Sequence, residues 1–298
     1  MRLNMKTLNV IGPGRLGQSL ARLAVDSGQY QIGGVLARSE QSAAKALAFI
    51  GAGQVCLQLA DLPPADLWLL AVPDSSIAAV AVELAAAQVV KTGDVVFHAS
   101  GALEANILAP LQAQGALIAS LHPAFSFADP ARAVLTFFGT PCAIEGNAAA
   151  CKLLNQFAQA IGGVPFALAE GGKGAYHAAL SMAANYLVTL ADLSLKTAHQ
   201  AGIAPEMANS LVLGLMQQTL HNIQALGPAV ALTGPIVRGD AGTVQRHLEV
   251  VGENQQAPYR VMGLATLSLA GDRVSPEQAR QLKTALTQAE HALCTSGN

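Results

Sequence analysis

Charged residues are scarce in this sequence. Only 12% of its 298 residues are Asp, Glu, Lys or Arg, and together they leave a formal net charge of -2. A chain with so little net charge generates no long-range field that would attract nucleic acid or an anionic membrane surface. We therefore predict that neither of these is a partner of the protein.

The sequence also predicts no membrane span and no signal peptide. The nearest approach to a span is the apolar run at residues 77–90, which is short and contains Glu83 and Gln88. The N-terminus leads directly into a predicted strand and lacks the apolar core of a signal peptide. We therefore expect a cytoplasmic protein.

Cysteine is rare, and its spacing excludes two kinds of site. The sequence has four cysteines, at Cys56, Cys142, Cys151 and Cys294. They form no CxxC pair, and no histidine stands at metal-ligand spacing from them. We expect reduced, buried thiols in the cytosol and no metal site.

Aromatic residues are few as well, at 4%, whereas apolar residues as a whole reach 52%. This alanine-rich composition predicts tight packing and little hydrated surface. Part of the apolar surface is expected to lie in an oligomer interface. A chain of 298 residues exceeds what one hydrophobic core usually serves, so we predict two domains.

The first half of the sequence alternates short β-branched runs with longer segments rich in Ala and Leu. This alternation is typical of a parallel sheet covered by helices. Eight apolar runs are predicted as strands, at residues 8–12, 31–37, 53–56, 66–72, 94–100, 116–122, 140–146 and 162–168. Most are continuous apolar runs, as expected for strands that are buried on both faces.

Helical periodicity replaces the strand pattern after Gly171. We predict helices at about residues 173–201, at 205–226, after Asp240, from Pro258 and from Pro276. The predicted fold is therefore α/β: a doubly wound parallel sheet over residues 1–167 precedes an all-α domain over residues 168–298.

A glycine-rich turn joins the first predicted strand to the first helix. Gly12, Gly14 and Gly17 form a GxGxxG pattern in this position. The first glycine permits the tight turn, the second lets the backbone approach a pyrophosphate, and the third permits close packing of the helix on the strand. This context favours a dinucleotide-binding turn over a glycine-rich turn without a ligand.

The residues after the second strand bear on which dinucleotide binds. An acidic residue there would bind the ribose 2′-hydroxyl of NAD, but this sequence has Arg38 and Ser39. A guanidinium group and a hydroxyl suit a 2′-phosphate, so we predict NADP(H). The alternative is that Arg38 is a solvated surface residue and that Ser39 caps the next helix. The predicted cofactor contacts are Gly12, Pro13, Gly14, Arg15, Leu16, Gly17, Arg38, Ser39, Val72 and Pro73.

Three further strands end in polar or turn-forming residues, at the edge where doubly wound sheets bind ligands. Asp74 follows one strand, Ser100 and Gly101 follow the next, and His122 ends the third. His98 and Ser100 would share one face of a regular strand, although a core histidine and an ordinary turn explain them as well. His122 is a candidate acid/base group, and its alternative is a histidine that ends a strand before proline.

A polar stripe follows the first part of the long helix. Lys173, His177, Ser181 and Asn185 recur every four residues, and the other faces of this helix are nearly all apolar. A polar stripe on so apolar a helix needs water, a partner or a ligand. Two interpretations stay open: a solvated groove or helix contact, and a site that faces the nucleotide.

The loop LTGPIVRGD, residues 232–240, joins two predicted helices. Asp240 is expected to cap the helix that follows, and Gly234 and Pro235 to form a turn. Arg238 is one of few basic residues in this region. It is interpreted either as a contact to a substrate carboxylate or as the ion-pair partner of Asp240.

Seven segments together resemble a known group of proteins. They are VIGPGRLGQSLA, LARS, LLAVPD, FHASG, SLHPAFSF, YHAALSMAANYLVTL and LTGPIVRGD. The group comprises Rossmann-like proteins with an uncharacterised helical C-terminal domain, which are related to 6-phosphogluconate, hydroxyisobutyrate and prephenate dehydrogenases and to pyrroline-5-carboxylate and ketopantoate reductases. The resemblance covers almost the whole chain. It implies a Rossmann-type NADP-binding sheet, an all-α domain like that of 6-phosphogluconate dehydrogenase, and a dimer.

The same resemblance implies roles for individual residues. Asn185 matches the asparagine of the hydroxyacid dehydrogenases, but Ser181 stands in the place of their catalytic lysine. The SLHP segment is similar to the histidine-proline motif of prephenate dehydrogenases, whose histidine contacts the hydroxyl being oxidised, and Ser100 is similar to their serine on the preceding strand. The predicted catalytic residues are therefore His122, Ser100, Asn185 and His177, with Ser181 and Arg238 as substrate contacts.

We predict an NADP-dependent oxidoreductase that transfers hydride to or from a small carbonyl or hydroxy compound. A homodimer is expected to form through the helical half. Two other classes of protein fit the sequence. One is a sensor or regulatory protein that binds the dinucleotide without turnover, which the missing lysine favours. The other is a structural dimerisation protein with a vestigial nucleotide site.

Overall fold

The computed structural model describes residues 5–287 of the chain. Within them, eight strands form one sheet: β1 Lys6–Ile11, β2 Tyr30–Leu36, β3 Gln54–Cys56, β4 Leu67–Leu70, β5 Val95–His98, β6 Leu117–Pro123, β7 Pro141–Gly146 and β8 Val164–Ala167. Each overlaps one of the eight predicted runs. Helices connect them: α1 Arg15–Asp26, α2 Glu40–Ile50, α3 Asp74–Ala87, α4 Ala109–Gln112, α5 Pro130–Thr136 and α6 Ala148–Ala160.

The strand order in the sheet is β3-β2-β1-β4-β5-β6-β7-β8. Strand β1 therefore lies in the interior of the sheet. The chain adds β2 and β3 on one side of β1 and then adds β4 on its other side, so a crevice opens at the carboxyl ends of β1 and β4. One pairing departs from the predicted parallel sheet, because β6 and β7 are antiparallel. Buried strands of either direction are continuous apolar runs, so the sequence contained no signal for this reversal.

Both faces of the central strands are buried, as a doubly wound fold requires. Leu67 and Leu69 of β4 pack into the apolar cluster on one face, whereas Trp68 and Leu70 pack into the cluster on the other. All four side chains are almost completely removed from solvent. This burial fixes the register of the central strands, because a slip by one residue would exchange the two faces.

The cysteines within the described residues are free thiols. Cys56 and Cys142 are buried and Cys151 is partly buried, whereas Cys294 lies outside the described residues. Burial raises the pKa of Cys142 to about 12, which makes its thiol unreactive at neutral pH. Within residues 5–287, there is no group of three or more His, Cys, Asp or Glu side chains that could hold a metal ion.

Helices follow the last strand: α7 Lys173–Ser181, α8 Leu187–Gln200, α9 Pro205–Leu226, α10 Pro228–Ala231, α11 Ala241–Val250, α12 Glu253–Ala270 and α13 Pro276–Thr287. The predicted starts at Pro205 and Pro276 are confirmed, but the predicted start at Pro258 is wrong. Proline often begins a helix because it has no N–H to donate. Here α12 has already begun, since the amides of Gln255 and Gln256 donate to the carbonyl of Gly252, and Pro258 lies inside the helix.

The long helix predicted at about residues 173–201 is interrupted. Met182–Tyr186 form a π-helical turn between α7 and α8. A π turn inserts one residue, so the residues beyond it are rotated about the helix axis. The predicted polar stripe therefore extends only from Lys173 to Ser181, and Asn185 does not lie on the same helix face.

By residue contacts the chain forms two compact units that divide between Ala184 and Asn185. The last strand ends at Ala167, where the sequence predicts the end of the first domain. Helix α7 nevertheless belongs to the first unit, because Lys173 and Tyr176 bond to residues at the edge of the sheet. The second unit has its own apolar core, built from Ile236, Val244, Leu248, Leu267, Ala270, Val274, Leu282, Ala285 and Leu286.

One helical stretch, Lys173–Gln200, is long and apolar enough to cross a membrane by length and composition alone. The sequence predicted no span, and its nearest candidate was the apolar run at residues 77–90. A single stretch of this kind is weak evidence for a membrane span, and none of its apolar window is buried within the described residues.

β8 lies at one edge of the sheet, where it pairs with β7. The amides of Val164 and Leu168 donate to the carbonyls of Thr140 and Ile144. Successive residues of a strand point their N–H groups to opposite sides, so Pro165 occupies an outward position.

Candidate functional site

The glycine turn between β1 and α1 has the geometry that a dinucleotide turn requires. Gly12 has a φ of +85°, and a Cβ on it would lie 2.7 Å from Val72 Cγ1. A Cβ on Gly17 would lie 2.6 Å from the Gly12 carbonyl oxygen, so this glycine permits the close approach of α1 to the strand end. A Cβ on Gly14 would meet no atom within 4 Å, so the turn is open at its middle glycine.

The N-terminus of α1 suits an anion. Gly14 occupies the cap position, where no side chain bonds to the amides of the first turn, and this turn has no acidic residue. Its unpaired N–H groups and the helix dipole favour a phosphate. Leu16 packs into the core, whereas Pro13 is partly exposed and Arg15 is exposed. The residues present therefore fit the pyrophosphate of a dinucleotide, held by backbone amides at the switch between β1 and β4.

The residues predicted to select the dinucleotide lie just beyond β2. Arg38 is exposed, and it forms no ion pair within the described part of the chain. Ser39 caps α2, because its hydroxyl oxygen accepts a hydrogen bond from the amide of Ser42. The capping interpretation of Ser39 is thus confirmed, and a phosphate contact by either residue stays a prediction. Val72 packs partly into the core, and Pro73 is exposed at the start of α3.

His98 is a core histidine. It is fully buried at the end of β5, where Nδ1 accepts from the Ser100 amide at 3.2 Å and Nε2 lies 3.2 Å from the Glu104 carbonyl oxygen. Burial lowers the pKa of His98 to about 4, so this imidazole is neutral at physiological pH. Because the strand ends at His98, Ser100 does not share a strand face with it.

The hydroxyl of Ser100 is committed to the fold. It donates to the carboxylate of Asp74 at 2.7 Å and accepts from the amides of Ala102 and Leu103 at 3.1 and 3.0 Å. A serine hydroxyl has one proton and two lone pairs, so these three bonds use its full capacity. Ser100 therefore shapes the turn after β5, and its predicted contact to substrate would require breaking one of these bonds.

Lys173, at the start of the polar stripe, is fully buried. Its exposed fraction is 1%, and its ammonium group donates to the carbonyl oxygen of Ser100 at 2.6 Å. Burial lowers the pKa of Lys173 to about 8, while the charges of Glu145, Glu104 and Asp74 oppose this shift. The lysine is therefore mostly charged at neutral pH, and it attaches the first turn of α7 to the edge of the sheet.

His122 lies at the end of β6 and bonds to the same helix. Its Nδ1 lies 2.9 Å from the Tyr176 hydroxyl, and the two rings are in edge contact at 5.6 Å between centroids. Burial, and then the charge of Lys173, lowers the pKa of His122 to about 4. Burial raises the pKa of Tyr176 to about 12, so at neutral pH the pair consists of a neutral imidazole and a neutral phenol.

Gly101 brings His122 and His177 together. A Cβ on Gly101 would lie 2.6 Å from His177 Nδ1 and 2.9 Å from His122 Nε2. The two rings have their centroids 6.1 Å apart, and His177 Nδ1 is buried without a hydrogen-bond partner among the described residues. Two ring nitrogens thus converge beside one glycine at the carboxyl edge of the sheet.

The remaining predicted site residues are less closely connected to this group. Ser181 is partly buried at the end of α7. Asn185 is exposed in the π-helical turn and belongs to the second unit. Asp240 caps α11 as predicted, and the exposed Arg238 forms no ion pair with it. The catalytic and substrate roles of these residues stay predictions.

Three features of this site were not predicted from the sequence. Tyr176, which is adjacent to His177 in the sequence, was not considered, and the burial of Lys173 was not foreseen. Gly101 was noted only as a turn residue. The pairing of Tyr176 with His122 follows from the position of α7 on the sheet, which depends on contacts across 54 residues.

Two family models match the chain. One, described as a Rossmann-like domain, matches residues 1–123, and the other, described as a domain of unknown function (DUF2520), matches residues 140–266. A search of curated proteins finds no match to this sequence. The two matched regions agree with the resemblance that the sequence analysis drew from its seven segments.

Solved structures of similar fold cover nearly the whole chain. The protein BF3122 from Bacteroides fragilis, assigned provisionally as an NADP oxidoreductase, is 20% identical with a TM-score of 0.75, over 90% of this chain and 99% of that one. Protein TM1727 from Thermotoga maritima is 27% identical with a TM-score of 0.62, over 93% and 98%. A pyrroline-5-carboxylate reductase from Coxiella burnetii is 15% identical with a TM-score of 0.60, over 96% and 100%. These similarities show the fold.

The contacts at Gly101 predict the effect of adding a methyl group. Gly101→Ala should lower the free energy of unfolding by about 1–3 kcal/mol, as forced overpacking usually does, because its Cβ would press on both imidazoles. Urea denaturation measures this change. Gly174→Ala on α7 is the control, since its Cβ would meet nothing within 4 Å and alanine favours a helix. Equal stability of the two variants would contradict the close convergence of His122 and His177.

Proposed function

Because the chain joins a Rossmann-like domain to a DUF2520 domain, we propose that it is an NADP(H)-dependent oxidoreductase. The observation that carries this proposal is the open glycine turn at the N-terminus of α1. This turn and His122 lie at the same edge of the sheet. The candidate dinucleotide site and a candidate proton-transferring group thus both lie at the carboxyl ends of parallel strands in one sheet.

Each part of the cofactor would have its own contacts. The amides around Gly14 would hold the pyrophosphate, and Arg38 would bind the 2′-phosphate. When bound, the nicotinamide would supply or accept a hydride. Val72 and Pro73 lie beside the glycine turn at the end of β4, where they would line the nucleotide crevice.

The substrate is proposed to be a small carbonyl or hydroxy compound. His122 is the proposed acid/base group, because it is half-buried at the sheet edge and its Nε2 faces the position beside Gly101. A neutral imidazole has one nitrogen that donates and one that accepts, so it can serve hydride transfer in either direction. This arrangement favours an enzyme over a sensor or a purely structural protein, since neither would need converging histidines.

The first prediction concerns the choice of cofactor. NADPH should bind more tightly than NADH, and Arg38→Ala should remove most of the difference. A hydrogen bond to a charged group contributes about 1.5–3 kcal/mol, which corresponds to about ten- to a hundredfold in affinity. Isothermal titration calorimetry measures both affinities.

Lys152→Ala is a suitable control for this substitution. Lys152 is an exposed cation on α6, which packs against β6, β7 and β8 at the other end of the sheet from β2. Its loss should leave both affinities unchanged. Equal binding of NADPH and NADH by the unmodified protein would contradict the proposed role of Arg38.

The second prediction assigns different roles to the two histidines. A thermal-shift screen of nucleotides, followed by a panel of keto and hydroxy acids, would first identify a substrate. His122→Asn should then lower kcat by about a hundredfold or more and leave NADPH affinity nearly unchanged, whereas His177→Asn should act mainly on KM. The reverse pattern would move the acid/base role to α7. Nucleotide binding without any turnover would support the sensor, and no nucleotide binding would support the structural protein.

We also propose that the protein forms a homodimer through residues 173–298. Helix α9 has 22 residues, of which only Ala208 is buried. Met207, Leu211 and Leu215 share one face of α9, and each is more than half exposed. An apolar helix face of this size needs a protein partner. The absence of membrane and nucleic-acid partners and the cytoplasmic location stay predictions.

The third prediction tests this assembly. Multi-angle light scattering at micromolar concentration should give the mass of a dimer, and the double variant Leu211→Lys, Leu215→Lys should shift the mass towards the monomer, because it places charges in the apolar face. Leu135→Lys is the matched control, since Leu135 is an 84% exposed leucine on α5 of the first unit. A monomer for the unmodified protein would contradict the proposal.

A further inference from the structure

We propose that Tyr176 fixes the tautomer of His122, so that His122 presents an Nε2–H donor to a single substrate oxygen that also contacts His177 Nδ1 beside Gly101. This inference rests on the proposed oxidoreductase function, and it specifies which atoms of the chain bind the reacting group. Tyr176 is a positioning residue in this scheme, because it acts through His122.

The contact between Tyr176 and His122 has a preferred direction. The phenol oxygen and Nδ1 lie 2.9 Å apart, and no other described residue bonds to the Tyr176 hydroxyl. A ring nitrogen of neutral imidazole is a much stronger base than a phenol oxygen, so the hydroxyl donates and Nδ1 accepts. The single proton of the neutral imidazole must then lie on Nε2. The tautomer of a histidine is set in this way by the bond that its other nitrogen makes.

The surroundings of His122 keep this ring neutral. The ionisable groups that face it are Lys173, Tyr176 and His177 on α7, His98 at the end of β5, and Asp74 at the start of α3. Burial and the positive charge of Lys173 both disfavour an imidazolium, whereas Asp74 opposes them weakly. Since the pKa of His122 is lowered to about 4, the ring stays neutral as the pH falls from 8 to about 5.

A second nitrogen completes the oxygen site. His177 Nδ1 and His122 Nε2 both lie within 2.9 Å of the position that a Cβ of Gly101 would occupy, and they do not bond to each other. The two nitrogens are thus close enough for one oxygen atom to contact both, provided that the side chains that bury His177 Nδ1 move aside when the substrate binds. A carbonyl oxygen would accept from His122 Nε2–H and from His177 in its Nδ1–H form.

The same electrostatics specify the substrate class. Lys173 Nζ donates to the carbonyl oxygen of Ser100, the residue before Gly101, so its charge lies near this position and would disfavour a protonated imine nitrogen there. It would stabilise an oxygen that gains negative charge as its carbon receives a hydride. The site therefore favours carbonyl and hydroxy substrates over cationic imines.

The proton balance follows from the tautomer. In the direction of reduction, the carbon would take the hydride that bound NADPH supplies, the C=O bond becomes a single bond, and its oxygen takes the proton of His122 Nε2. The imidazole remains neutral because Nδ1 takes the Tyr176 proton at the same time. After the product leaves, Nε2 takes a proton from water and Nδ1 returns its proton to the Tyr176 oxygen, which restores the starting tautomer. Oxidation runs through the same steps in reverse.

The tautomer can be measured without any turnover. Nitrogen-15 chemical shifts of the histidine rings in the full-length protein should show His122 as the Nε2–H tautomer between pH 5 and 8. Tyr176→Phe should give a mixture of tautomers, because the phenyl ring keeps the packing but cannot donate. Tyr259→Phe is the matched control, since the Tyr259 hydroxyl lies 2.7 Å from His247 Nδ1 in a similar edge contact within the second unit. It should change the His247 signals and leave those of His122 unchanged.

Kinetics add a second readout once a substrate is known. Tyr176→Phe should lower kcat about tenfold, the usual effect of losing one hydrogen bond, and leave NADPH affinity unchanged. An Nδ1–H tautomer of His122 in the unmodified protein would overturn the inference, as would cyclic imines reacting faster than carbonyl compounds. If the predicted tautomer is found but NADPH does not bind, the proposed function fails and the tautomer assignment stands.

Discussion

The bond between the Lys173 ammonium and the Ser100 carbonyl connects the helix that carries Tyr176 and His177 to the sheet that carries His122. A buried charge is costly unless it is paired, and here a 2.6 Å bond and the carboxylates of Glu145, Glu104 and Asp74 offset that cost. Together with the bond between Tyr176 and His122, this contact holds α7 beside Gly101.

The polar residues of this site differ in whether their hydrogen-bonding groups are already used within the fold. Ser100 uses its whole hydrogen-bonding capacity within the turn, and His98 has partners for both of its nitrogens. His122 and His177 differ from them, because each has one ring nitrogen directed at the same position beside Gly101. Burial gives His98 and His122 similarly low pKa values, so a low pKa alone does not distinguish a structural histidine from a candidate acid/base group. The two kinds of histidine are distinguished by whether both ring nitrogens have a hydrogen-bond partner among the described residues.

Much of the fold could be predicted because strands and helices leave local patterns in the sequence. Most of the eight strands are continuous apolar runs, and Gly12 and Gly17 stand where close contacts exclude a Cβ. The antiparallel pairing of β6 with β7 and the π turn at Met182–Tyr186 have no such pattern, since both depend on how distant segments pack. For the same reason His122 was found from its motif, whereas its partner Tyr176 was not.

The position of Pro165 in β8 affects how the protein behaves at high concentration. An edge strand normally offers a row of free amides to which a strand of another molecule can add, and this is a common route to aggregation. The outward positions of β8 are Pro165 and Ala167, and proline has no N–H. The edge therefore offers a single outward donor, which is too few to start a ladder with a second chain. A sheet with hydrophobic strands thus has an edge that resists intermolecular pairing without any charged residue in β8.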